Sequence, residues 1–125
     1  MSDITKGRIL YVIKNGKSFF TEIEEETGAS SATLGRYLRE LEKDGLIISI
    51  LDRSTGRARP RYKLNESRMD EINKLIEAYL KSEEEQLEKS FLALAKSNPE
   101  KARNVIKRLQ SFLEKEIFED EDSGK

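Results

Sequence analysis

The feature that most constrains this chain is a run of alternating helix and turn signals between residues 20 and 64. It reads as a short helix, a tight turn, a longer helix and a two-stranded ribbon rich in arginine. At its centre lies Thr27-Gly28-Ala29-Ser30-Ser31-Ala32-Thr33-Leu34-Gly35-Arg36-Tyr37-Leu38-Arg39-Glu40-Leu41-Glu42-Lys43-Asp44-Gly45-Leu46-Ile47. Thr21 reads as the N-cap of the short helix, with Glu22 and Glu24 in its first turn, where the helix dipole favours anions. Gly28 suits a left-handed stop. Ser30 or Ser31 caps the longer helix. Leu34, Leu38 and Leu41, with Tyr37 alongside, recur at helical spacing and form an apolar stripe. Ala32, Arg36, Arg39 and Lys43 share the opposite face. Gly45 ends this helix, Leu46–Leu51 is apolar and β-branched enough for a strand, and Pro60–Leu64 returns as a second. Pro60 has no backbone donor, which suits a ribbon edge.

The flanks are helical. Ile4, Ile9, Leu10, Val12 and Ile13 predict a first helix over 4–14, ended by the turn pair Asn15-Gly16. Phe19 and Phe20 follow as core anchors. Beyond Asn65, Met69, Ile72, Ile76, Tyr79 and Leu80 recur with helical period, then Leu87, Phe91 and Leu94. Glu83-Glu84-Glu85 interrupts that stripe. Asn98-Pro99-Glu100 predicts a break and restart, with Asn as N-cap and Pro at the first helical position, where its missing N–H costs nothing. A last helix then carries Ala102, Val105, Ile106, Leu109, Phe112, Leu113 and Ile117. The organisation expected is a domain over 1–65, a helical arm over 66–118 and a disordered acidic tail over 119–125.

The net charge of −1 conceals a division. Residues 1–64 hold 12 Lys/Arg and 9 Asp/Glu, whereas residues 65–125 hold 11 and 15. From Arg53 to Lys63 there are five cations and no acid. Such local asymmetry is an electrostatic footprint for nucleic acid. The chain has no Cys and no His. Disulfides, zinc fingers, thiol redox switches and His-based acid–base chemistry are therefore excluded. No metal or cofactor is expected, because no loop has ligand spacing and no Gly-rich phosphate loop is present. No apolar run approaches the about 18 residues a membrane span needs. The N-terminal stretch lacks a signal-peptide apolar region, so a cytoplasmic protein is expected.

A helix held proud of the body by a tight turn can enter a DNA major groove. Ser30, Ser31 and Thr33 lie at its N-terminus, where hydroxyls and free N–H groups suit phosphate oxygens. Arg36 and Arg39 are long enough to reach base edges, where Arg reads guanine bidentately. Gly35 costs a helix about 1 kcal/mol relative to Ala. Either the backbone approaches DNA closely there, or the glycine makes room for a neighbouring helix. In the ribbon, Arg53, Arg57, Arg59 and Arg61 flank the tip. In a regular ribbon Arg57, Arg59 and Arg61 fall on one side, with Tyr62 and Leu64 on the other. Such a row suits a phosphate track or a minor groove.

Ser30–Ile47 resembles the recognition-helix pattern of winged-helix transcription regulators of the ArsR, MarR and PadR type from bacteria and archaea. The match runs through Ser30, Thr33, Leu34, Arg36, Leu38, Leu41, Glu42, Gly45, Leu46 and Ile47. Gly56-Arg57-Ala58-Arg59-Pro60-Arg61-Tyr62-Lys63-Leu64 is similar to the wing of the same group. Gly35 stands where those families usually have Ser, and Tyr37 where they have His. Metal-sensing members use Cys or His ligands, which this chain lacks. The resemblance implies a mostly α fold with a small β-wing, a winged helix-turn-helix; the segments after it, outside the resemblance, are expected to form a C-terminal helical dimerisation arm. The resemblance also implies a partner, double-stranded DNA. No enzymatic activity is expected, because the carboxylates sit on solvated helix faces and no nucleophile–base–orienter set can be assembled. The DNA-binding residues expected are Ser30, Ser31, Thr33, Arg36, Arg39, Arg53, Arg57, Arg59 and Arg61.

The two amphipathic segments after residue 65 need somewhere to bury their stripes. Either they pair with a second copy or they fold back on a monomeric core. The homodimer is the expectation, through Ile72, Ile76, Tyr79, Leu87, Phe91, Val105, Leu109 and Phe112. It would set two recognition helices about 34–36 Å apart. The sequence marks no effector pocket. A different role for the same fold is protein–protein contact within a transcription or cell-division assembly, which the acidic second helix and acidic arm would suit.

Overall fold

The computed structural model describes the backbone of residues 2–123 and the side chains of residues 3–116. Five helices and one hairpin follow in order: α1 Ser2–Lys14, α2 Phe20–Thr27, α3 Ser31–Lys43, β1 Ile47–Asp52, β2 Arg59–Leu64, a 3-10 turn Glu66–Arg68, α4 Met69–Ser97 and α5 Pro99–Ser123. The mostly α fold with a small β-wing is as expected.

The chain forms two compact units, one to Glu83 and one from Glu84. In the first, α1, α2, α3, the hairpin and the start of α4 surround one core. Its fully buried members are Ile9, Leu10, Ile23, Leu34, Leu38, Leu41, Ile47 and Ile72. The expected stripe of α3 therefore points inward, as its spacing requires.

Turn chemistry sets the path between these elements. Phe19, rather than Thr21, is the N-cap of α2. Phenylalanine has no oxygen to cap with, so the carboxylate of Glu22 reaches back and accepts from the backbone N–H of Phe19, at 3.1 Å, and of Ser18, at 3.3 Å. Gly28 closes α2 at φ 69°, donating to the Glu24 carbonyl. Gly45, at φ 79°, closes α3: its N–H bonds the Glu42 carbonyl and that of Leu46 the Leu41 carbonyl. This is the paired C-terminal motif that glycine favours, and it turns the chain directly into β1.

The hairpin is antiparallel, with Ile47 opposite Leu64 and Asp52 opposite Arg59. Beyond β2, Phe19 bridges Arg61, and the Tyr62 N–H donates to the Ser18 carbonyl at 2.7 Å. The segment before α2 thus covers one edge of β2. Asn65 ties the base of the hairpin, donating from its side chain to the Gly45 carbonyl at 2.8 Å.

The structure corrects the expected domain boundary. Ile72 and Ile76, assigned above to a dimer interface, are 0% and 4% exposed and complete the core of the first unit. Tyr79 is half-buried, with its ring 5.9 Å from that of Tyr11. The first four turns of α4 belong to the winged helix because Ile72 and Ile76 join Ile9, Leu10 and Leu41 in its core, with Met69 and Leu75 packed against it. Gly7 makes this approach possible: a Cβ there would lie 2.1 Å from the Leu75 carbonyl oxygen. The glutamates 83–85, where the stripe pauses, mark the end of that packing.

The second unit holds the rest of α4 and α5. Asn98 caps α5 as expected, its side chain accepting from the Lys101 N–H at 3.1 Å. Helix α5 continues through Ser123, where a disordered tail from residue 119 was expected. Each added residue gains a helical hydrogen bond and glutamate is a good helix former. Residues 124 and 125 of that tail lie outside the described residues, as does the side chain of Ile117.

Candidate nucleic-acid interface

Burying Leu34, Leu38 and Leu41 leaves the opposite side of α3 free. Ala32, Arg36, Arg39 and Lys43 are all exposed there. Arg36 places its guanidinium 5.1 Å from the centre of the Tyr37 ring. Gly35 sits among them with open space where a side chain would be: a Cβ would meet only the Arg39 guanidinium, at 3.7 Å. No neighbouring helix needs that space, so the packing explanation for Gly35 fails.

The N-terminus of α3 is more occupied than its sequence suggests. Ser30 is the cap; its hydroxyl oxygen accepts from the Thr33 N–H at 3.3 Å, and its proton goes to the Thr33 hydroxyl at 2.9 Å. Ser31 donates to the carboxylate of Glu24. Glu24 therefore links α2 to the first turn of α3, while Glu25 and Glu26 are exposed. Thr27, buried at the end of α2, satisfies its hydroxyl on the Ile23 carbonyl at 2.8 Å. The far end of α3 is fastened to α1 by Lys6, 3.4 Å from Glu40 and 3.8 Å from Asp44. That pairing had no motif to announce it.

The wing arginines divide into two kinds. Arg53 and Arg57 lie in the exposed tip between the strands, which folds around the Gly56 N–H bonded to the Arg53 carbonyl. Arg57 is thus outside β2 and does not continue a regular row with Arg59 and Arg61. Arg59 lies over the ring of Phe19, 3.6 Å from its centroid. Arg61 is 3.9 Å from the Asp52 carboxylate. That carboxylate accepts from the Ser54 hydroxyl at 2.6 Å and its N–H at 2.8 Å. Chiefly these bonds, and then Arg61 and Arg59, hold Asp52 below its ordinary pKa. Burial pushes the Tyr62 phenol up, on the inner side of the ribbon.

Exposed apolar residues are the feature that charge reading passed over. Ile48, Ile50 and Leu51 stand out on β1. In the second unit, Leu87, Phe91, Leu92, Leu94, Val105, Ile106 and Leu109 line an open groove of about 610 Å³. Leu87 is 67% exposed and Phe112 59%. Of the side chains assigned above to a dimer interface, Leu87, Phe91, Val105 and Leu109 meet in this groove, and Phe112 is exposed beyond it. Among the described residues, no group of three or more carboxylates could hold a metal ion, and no helix is long and apolar enough to cross a membrane.

Residues 3–49 match the family model of the bacterial regulatory proteins of the arsR family. No curated protein matches the chain in sequence. Among solved structures, the zinc-responsive MarR family member ZitR of Lactococcus lactis superposes with a TM-score of 0.60 at 21% identity, over 90% of this chain and 74% of that one. A ZitR structure in complex with DNA gives 0.58 at 22% identity, over 90% and 73%. A PadR-like transcriptional regulator from Bacillus cereus gives 0.54 at 19% identity, over 67% of this chain and 90% of that one. Residues 3–49 are thus similar to the arsR-family helix-turn-helix, and the chain has the winged-helix fold of the MarR- and PadR-type structures it superposes on.

Proposed function

We propose that this protein is a transcriptional regulator that binds double-stranded DNA sequence-specifically as a homodimer. The observation that carries the reading is the exposed face of α3. It presents Arg36, Arg39 and Lys43 around a bare Gly35, immediately before an arginine-tipped wing. In this reading α3 enters the major groove, Arg36 and Arg39 take base edges, and Arg53 and Arg57 take phosphates or a minor groove. Ser30, Ser31 and Thr33 cap and brace the helix, leaving its free N–H groups for phosphate. Arg59 and Arg61 set the wing. A regulator of this kind works on the genome, in the cytoplasm of a prokaryotic cell.

The dimer is supported by the groove of the second unit. Monomeric proteins rarely leave apolar surface of this kind uncovered. The exposed Ile48, Ile50 and Leu51 of β1 favour, as a second reading, a winged helix that docks on another protein.

Retention on immobilised random duplex DNA, eluted by salt, separates the two. A DNA binder elutes along a steep salt dependence set by the phosphates it neutralises. A protein that passes through at low salt is the interaction module.

A further inference from the structure

Two glycines lie inside helices of the first unit, and their surroundings are opposite. Gly7 is buried, and any side chain there would collide with the backbone of α4. Gly35 lies on the outer side of α3, where a Cβ would make only one ordinary contact, with the end of Arg39. Its φ is not positive, so the backbone does not need glycine either. The protein's own fold gains nothing from it, and helix propensity argues against it.

We infer that Gly35 is a specificity-determining position of the interface proposed above. Its bare backbone lets α3 seat against the floor of the major groove, so that Arg36 and Arg39 arrive at base edges rather than at the groove's rim. Exposed Ala32, one turn earlier, keeps the same side low. Arg36 and Arg39 flank the gap, and the Arg39 guanidinium lies against it in the free protein, 3.7 Å from where a Cβ would be. Any side chain added here stands between the helix axis and the bases, and acts on both arginines at once. The inference rests on the DNA-binding reading.

The test uses the full chain and a duplex selected from a random pool by the wild-type protein. Gly35→Ala and Gly35→Leu are compared with wild type in thermal unfolding, in affinity for the selected duplex and in affinity for an unrelated duplex at low salt. Both variants should unfold at or above the wild-type midpoint, because Ala and Leu favour a helix. Gly35→Leu should bind the selected duplex roughly tenfold more weakly, the cost of losing an arginine–guanine contact. Gly35→Ala should fall between, and binding to the unrelated duplex should fall less than binding to the selected one, since it depends mainly on phosphates. Equal affinity of wild type and Gly35→Leu for the selected duplex overturns the inference alone. A wild-type protein that selects no duplex overturns the DNA-binding reading and this inference with it.

Discussion

The guanidinium of Arg59 lies over the ring of Phe19, 3.6 Å from its centroid. Phe19 also bridges Arg61 in the sheet, and its N–H donates to Glu22. One aromatic residue between α1 and α2 thus fixes the wing at two points of β2. Arg59→Ala should cost about 0.5–1 kcal/mol of stability, as an exposed cation–π contact does. Arg57→Ala should cost none, because Arg57 has no such partner. Denaturant unfolding of the two variants checks this difference; equal stabilities would show that the wing is held without the Arg59–Phe19 pair.

Gly7→Ala should destabilise the first unit by about 1–3 kcal/mol, the usual penalty of overpacking. The added methyl meets the Leu75 carbonyl and the Tyr79 Cβ, and neither is the end of a flexible side chain. Chemical denaturation reads the loss. A neutral result would mean that α1 and α4 separate without cost.

Glu22 makes stability depend on acid pH. Its hydrogen bonds from the Phe19 and Ser18 N–H groups, chiefly, lower its pKa below the ordinary value of 4.5. A carboxylate depressed in the folded state adds stability above its unfolded pKa and loses it as pH falls through the folded value. Glu22→Gln should therefore be less stable than wild type at neutral pH. The gap should close below about pH 4.5. Thermal unfolding of both proteins between pH 7 and pH 3 tests this; a gap that persists at low pH would exclude the charge as its source.

Ile76 and Leu109 stand on similar helical stripes but have different surroundings, buried in the winged-helix core and 51% exposed in the groove. Ile76→Asp should unfold the first unit, because an unpaired charge in a core is strongly disfavoured. Leu109→Asp should leave it folded and shift a dimer toward monomer, removing a side chain whose burial is worth about 1.5–3 kcal/mol. Circular dichroism with sedimentation velocity separates the outcomes. A wild-type monomer at micromolar concentration would refute the arm as a dimer interface.

Local patterns carried most of the first unit. The stripe of α3, Gly28 and Gly45 at the helix ends and, in the second unit, the break at Asn98-Pro99 are all set by interactions within a few residues, and each was legible. Long-range choices were not. Periodicity shows that Ile72 and Ile76 are buried but not against what, and only the close approach of α4 to Gly7 reveals that they complete the chain's own core. In the wing, alternation places Arg59 and Arg61 on one side. It does not reveal that Phe19, 40 residues away in the sequence from Arg59, supplies the surface beneath Arg59. Asp52 also went unread: its turn with Ser54 is local, but Arg61 meets it only when the ribbon closes.

In the function proposed, the outer face of α3 reads DNA while the tip of the wing holds it. Titrating a selected duplex at several salt concentrations with wild type, Arg36→Ala, Arg39→Ala and Arg57→Ala measures both parts. Losing a base-reading arginine should cost roughly 1–3 kcal/mol and relax preference at one base position. Losing Arg57 should weaken binding to all duplexes alike and lower the salt slope by about one unit. Four proteins with one affinity and one salt slope would contradict the account.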